Sequence, residues 1–238
     1  MTLEERLVVA LDVEGIAAAE PLLDRLDGLA LTYKIGNQLF TAAGPEVVRL
    51  VHKRGGRVFL DLKFHDIPNT VGLAVREAAR LGVFMLNVHA SGGHEMLRAA
   101  AKARDEAAAT GAARTWVIGV TVLTSLDAAG LKDVGVARPL AEQVVALARL
   151  SRDAGLDGVV ASGHEIPAIR AACGADFLIV TPGVRPAWAE AHDQRRIATP
   201  AEAIRAGADF LVVGRPVLRA GDPAEAVRRI LQEMRAAN

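Results

Sequence analysis

The chain has 238 residues, 28 Lys and Arg against 28 Asp and Glu, and 51% hydrophobic content, which excludes a disordered or fibrous protein and leaves room for a large buried core. A net charge of zero excludes any overall attraction to nucleic acid or an anionic membrane, so an anion must be held by a local site and the expected partners are small molecules. No apolar run approaches the ~18 residues of a membrane span, Cys173 is alone and reads as apolar filler, and Glu4, Glu5 and Arg6 precede the first apolar run, unlike a secretory signal; the expected compartment is the cytoplasm.

Short Val/Leu/Ile-rich runs recur along the chain, each closed by a polar residue and followed by an Ala-rich stretch with helical spacing. They are Leu7 to Val13, Ala30 to Gly36, Arg57 to Lys63, Phe84 to Ala90, Thr115 to Leu123, Leu156 to Ser162, Asp176 to Val184 and Asp209 to Val217. Continuous apolar runs without strict alternation are the pattern of strands buried on both faces. Thr199-Pro200-Ala201-Glu202 and Asp222-Pro223-Ala224-Glu225 each combine a capping residue, a proline at the first helical position and a glutamate placed to close a capping box. Val227, Ile230, Leu231 and Met234 then form the apolar stripe of the last helix. Eight βα units in this length predict an α/β chain folded as a single (β/α)8 TIM barrel spanning residues 1–238, with a doubly wound open sheet as the alternative. Two stretches, Ser125 to Arg138 and Pro182 to Ala198, show no clear periodicity and read as loops, surface or lid.

Chemistry in such barrels lies at the carboxyl ends of the strands. Those positions hold Asp12, Lys34, Asp61 with Lys63, His89, Thr124, Ser162, Arg185, and Gly214 with Arg215. Asp61 and Lys63 are two apart and face one side, while Leu60 and Leu62 face the other. Leucines toward the helices put the charged pair in the barrel mouth, where ions need partners; Asp12, Lys34 and Asp66 are the candidates. Spacing alone leaves two readings open, a catalytic cluster or a charge network that merely closes the barrel top. Gly214 and Arg215 after the eighth run, with Arg185 and Gln194 after the seventh, read as a phosphate grip, because glycine admits an anion to the backbone and guanidinium matches phosphate oxygens. His65 and His89 read as packing residues. Trp188 fits a lid contact and a surface cover equally.

The run Asp61-Leu62-Lys63-Phe64-His65-Asp66-Ile67-Pro68-Asn69-Thr70 resembles the signature of the orotidine 5′-phosphate decarboxylase family, whose reaction makes UMP in pyrimidine synthesis. The likeness spans the chain: Asp12, Tyr33-Lys34-Ile35-Gly36, Val120 to Ser125, Pro182-Gly183-Val184-Arg185, Asp193-Gln194 and Val213-Gly214-Arg215-Pro216 follow in the family's order. His192 departs from the glycine often found before Asp-Gln and bears on lid shape. More distant barrels share only Asp-x-Lys-x-x-Asp. The resemblance implies decarboxylation of orotidine 5′-phosphate with no metal or organic cofactor. It implies that Lys63 stabilises charge at C6 and protonates it, and that Asp61 and Asp66 flank its ammonium. Lys34 then completes an alternating Lys-Asp-Lys-Asp array. It further implies a homodimer in which Asp66, Ile67 and Thr70 enter the neighbouring site. Asp12 and Lys34 are expected at the ribose hydroxyls, Thr124 at the pyrimidine, and Arg185, Gln194, Gly214 and Arg215 at the phosphate. The rivals are a sugar-phosphate decarboxylase or aldolase-like synthase with Asp61 on Mg²⁺, and a non-catalytic barrel that binds a phosphate ligand.

Overall fold

The computed structural model describes residues 1–188 and 198–237. Its strands are β1 (Leu7–Ala10), β2 (Thr32–Gly36), β3 (Arg57–Phe64), β4 (Met85–His89), β5 (Trp116–Val120), β6 (Gly158–Val160), β7 (Leu178–Thr181) and β8 (Phe210–Val213). All pair in parallel and in sequence order, and β8 returns to β1 with Leu7 opposite Leu211. That closing pair makes the sheet a barrel and excludes the open doubly wound sheet. Helices follow each strand, among them Ile16–Arg25 after β1, Pro68–Arg80 after β3, Gly93–Ala109 after β4, Ile166–Cys173 after β6 and Pro223–Arg235 after β8.

Each strand is apolar on both faces because each face meets a different core. Leu7, Val9, Ile35, Val58, Leu60, Leu86 and Val88 point outward against the helices. Their neighbours Val8, Ala10, Phe59, Met85, Ile118, Val180, Phe210 and Val212 point inward and fill the barrel, as layered side chains do in this architecture. At its amino-terminal end Phe84, Trp116 and Phe210 pack with ring centroids 4.7 to 6.0 Å apart, and the Arg57 guanidinium lies 4.1 Å from the Phe84 ring centre. This aromatic floor leaves the inward positions at the opposite end for polar groups.

The strands are shorter than the apolar runs, since buried chain continues past the ladder. The run expected to reach Val217 ends as a strand at Val213; Gly214 breaks it, and Arg215–Leu218 is a short helix with Pro216 in its first turn and Val217 buried. The aperiodic stretch 125–138 contains the helix Ala128–Asp133, which Asp127 caps by accepting the Ala129 and Gly130 amides at 3.1 and 3.0 Å. Thr199 and Glu202 form the predicted capping box. Asp222 caps by accepting the Ala224 amide at 3.0 Å, and the Glu225 side chain turns to Arg228 at 3.2 Å instead of closing a box. Cys173 ends its helix half-buried, and burial pushes its thiol above the ordinary value, which suits filler rather than a nucleophile.

Candidate active site

The mouth of the barrel is built around β3. Phe59 belongs to the inner layer, so Asp61, two residues on, also points inward, at the top of the packed core and only 9% exposed. Leu60 and Leu62 pack outward as expected. At Lys63 simple alternation ends. Its φ is +52°, the one positive value among described non-glycine residues. The β3–β4 register runs from Leu60 opposite Leu86 to Phe64 opposite Val88, so Asp61, Leu62 and Lys63 together face Asn87. A bulge of this kind re-aims a side chain. Here the Lys63 ammonium turns back onto Asp61 Oδ1 at 2.6 Å, while its N–H donates to Asn87 Oδ1 at 2.8 Å.

Charge then alternates across the mouth. Lys34 Nζ lies 3.3 Å from Asp61 Oδ2 and 3.0 Å from Asp12 Oδ1. A Cβ at Gly36 would stand 3.0 Å from that ammonium, so glycine keeps its place open. Burial pushes the Lys34 pKa down, but Asp61 and Asp12 outweigh it and hold the group above its ordinary value; it stays charged. Asn87, 1% exposed, donates from Nδ2 to Asp61 Oδ1 at 2.7 Å. Lys34, Asp61, Lys63, Asn87 and Thr124 line a cavity of about 160 Å³ whose remaining lining is apolar, Val120, Val122, Val160 and Val212 among it. Lys34 and Asp61 are largely withdrawn from solvent, so their charges act on one another with little screening.

Within the chain the charges alternate as Asp12–Lys34–Asp61–Lys63; the resemblance assigns the Asp66 of the expected array to a neighbouring chain. Asp66 is exposed, forms no ion pair among the described residues, and accepts the Ile67 N–H at 2.6 Å. Ile67 is 66% exposed, and Thr70 beside it is exposed as well. Both stand at the start of Pro68–Arg80, and neither lines the cavity. Arg185 is 5% exposed and its Nη1 donates to the Val184 carbonyl at 3.1 Å. Gly214 borders the array: a Cβ there would lie 3.4 Å from Asp12 Oδ2. Arg215 follows, half-buried, at the start of its short helix. Gln194, like most of 182–198, lies outside the described residues; the ends of that stretch meet where Val184 pairs with Ala198.

The exposed His65 and the half-buried His89 lie with ring centres 5.4 Å apart. Trp188 rests under the Arg229 guanidinium at 4.3 Å, a cover against the last helix. Sequence reasoning misses Asn87, though its signal is there: a lone amide at an inward position between Leu86 and Val88. Among the described residues no three His, Cys, Asp or Glu side chains gather as a metal-holding group.

Comparisons with known proteins address the chain as a whole. The model of the orotidine 5′-phosphate decarboxylase / HUMPS family matches residues 5–230. The chain belongs to this family. The orotidine 5′-phosphate decarboxylase of Moorella thermoacetica is 58% identical over 236 residues, covering 98% of this chain and 94% of that protein. That of Syntrophotalea carbinolica is 56% identical over 234 residues, covering 98% and 96%. The crystal structure of orotidine 5′-phosphate decarboxylase from Lactobacillus acidophilus superposes with a TM-score of 0.86 at 36% identity, covering 97% of this chain and 99% of that one. In this decarboxylase family the barrel is the shared frame. Among the described residues no helix is long and apolar enough to cross a membrane.

Proposed function

We propose that the chain decarboxylates orotidine 5′-phosphate to UMP, with Lys63 as the group that meets the developing charge. The observation that carries this reading is the Asp12–Lys34–Asp61–Lys63 array set against an apolar wall. Breaking the bond from C6 to the carboxylate leaves an electron pair on a ring carbon that has no adjacent sink. A preorganised ammonium stabilises that charge more than it stabilises the ground state. Lys63 Nζ has three N–H donors and gives one to Asp61, which keeps the others for the cavity. As C6 takes a proton from Nζ, the N–H bond breaks and the C6–H bond forms, and the neutral amine is reprotonated from solvent. Lys34 holds Asp61 from the far side and, with Asp12, faces the ribose hydroxyls. Thr124 meets the pyrimidine. Arg185, Gln194, Gly214 and Arg215 take the phosphate, whose binding energy helps to hold the ring in place.

The second carboxylate beside Lys63 comes in this reading from a partner chain, whose Asp66 enters with Ile67 and Thr70 across an isologous homodimer contact. Asp66, exposed and with no ion pair among the described residues, and an exposed Ile67 beside it support that arrangement. The single domain 1–238 and a cytoplasmic setting belong to the same reading. Mg²⁺ chemistry at Asp61 is disfavoured because the carboxylate already engages Lys34, Lys63 and Asn87. The test mixes purified protein with orotidine 5′-phosphate and follows loss of its ultraviolet absorbance, with and without excess EDTA. Turnover that survives EDTA is expected. Turnover abolished by EDTA and restored by Mg²⁺ would transfer the site to sugar-phosphate chemistry.

A further inference from the structure

Asn87 stands where β4 faces the bulge of β3. Its neighbours Leu86 and Val88 pack outward, and Met85, two residues before it, fills the inner layer, so an apolar side chain would suit position 87 on packing grounds alone. The amide found there is 1% exposed and uses both of its ends. Nδ2 donates to Asp61 Oδ1 at 2.7 Å, and Oδ1 accepts the Lys63 N–H at 2.8 Å. The two ends are not interchangeable. A flipped amide would set its oxygen against a carboxylate and its NH₂ against a backbone N–H.

One side chain thus grips both halves of the charged pair. It fixes the carboxylate that holds the Lys63 ammonium, and it satisfies the backbone amide that the bulge has removed from the β3–β4 ladder. Lys63 adopts its left-handed conformation with that amide as anchor, and such conformations persist where the surroundings over-determine them. We infer that Asn87 is a positioning residue for the decarboxylation, locking Asp61 and the Lys63 backbone so that the ammonium is aimed before substrate arrives; this rests on the role proposed above for Lys63. Both polar ends of Asn87 are taken up by Asp61 and the Lys63 backbone, so its effect passes through the two residues it holds.

The test compares Asn87→Ala with the isosteric Asn87→Asp. The alanine variant should lose about 10- to 100-fold in kcat with KM changed by less than about threefold, since aim is lost and binding is not. The aspartate variant keeps an acceptor for the Lys63 N–H but sets a second carboxyl against Asp61, and only its protonated form can donate there. Its kcat should therefore rise relative to the parent as pH falls from about 8 to about 6, whereas the alanine variant keeps the parental profile. Amide exchange at Lys63, followed by NMR, should be at least about 10-fold faster in Asn87→Ala than in the parent, and close to parental in Asn87→Asp. An alanine variant within twofold of parental kcat, equal losses and identical pH profiles in both variants, or unchanged Lys63 exchange would each overturn the inference. Should the alanine variant not fold, the aspartate profile and its exchange decide alone. A parent that leaves orotidine 5′-phosphate intact would sink the functional reading, while Lys63 exchange would still report whether Asn87 holds that backbone.

Discussion

Lys63 combines a strained backbone, a 2.6 Å ion pair and a place on the cavity wall, so its removal takes away a charge and a proton donor together. Lys63→Ala should lower kcat by at least about 10⁴-fold, from the combined scales of general acid and electrostatic catalysis, with product affinity little changed; a loss below tenfold in a stopped-flow absorbance assay would contradict the role. At the other end of the site, Arg215→Ala should lower kcat/KM by about 10²- to 10³-fold, the scale of a lost charge-assisted contact in a desolvated site. A substrate lacking the phosphate should be indifferent to that change, which steady-state kinetics on both substrates would show. His89 carries a different signature. Burial, then His65 and Lys63, holds its pKa below the ordinary value near 6.5. Between the lowered folded value and 6.5 the unfolded chain binds the extra proton, so stability is whole above this window and falls as pH drops through it. The melting temperature should therefore fall on acidification below about 6.5, and His89→Gln should flatten the slope; equal slopes in both proteins would exclude His89 as its source.

Stability at the opposite end of the barrel rests on a device used twice. Asp157, just before β6, accepts the Val117 amide of β5 at 2.8 Å and pairs with Arg104 at 2.6 Å and Arg114 at 2.7 Å. Asp209, just before β8, accepts the Ile179 amide of β7 at 2.7 Å and pairs with Arg170. Each aspartate ties a strand start to its neighbour and to a helix. Because Asp157 and Arg104 are buried, Asp157→Ala should cost about 3–5 kcal/mol and leave kcat unchanged, as urea unfolding and kinetics would check; a stability loss below about 1 kcal/mol would show the pair to be dispensable. The eight strands were legible in the sequence because chain buried on both faces reads as continuous apolar runs. Their ends were not, since Leu11, Val122, Val184 and Val217 stay buried beyond the ladder and look like strand. The Ala128–Asp133 helix was too short to show a period, and only Asp127 signalled it. At the site, Asp12, Lys34, Asp61 and Lys63 were legible as polar endings to apolar runs. The bulge and Asn87 were not, because a register shift lies in how β3 and β4 pair, and periodicity along either strand does not show it.

At the scale of the whole molecule the open question is how many chains make one site. If Asp66 serves the neighbouring chain, Lys63→Ala and Asp66→Asn should each be nearly inactive alone. In a mixed dimer both lesions fall in one site and leave the other intact. With random reassortment about half the dimers are mixed, so mixing should restore roughly a quarter of parental activity per subunit in an isologous dimer. Fluorescence exchange between labelled subunits would confirm mixing. Exchange without any recovery would place Asp66 in its own chain's service.

The aromatic floor bears on traffic as well as on packing. Phe59, Met85 and Ile118 are almost fully buried beneath the cavity, and the packed rings of Phe84, Trp116 and Phe210, with Arg57 against Phe84, stop the barrel like a plug. The pocket is a dead end. In the proposed reaction the gas released at the level of Asp61 has to leave by the opening through which the nucleotide came in, squeezing past the ring or following it out. Entry and both departures then share a single door, and the order of leaving is set by whatever stands in it.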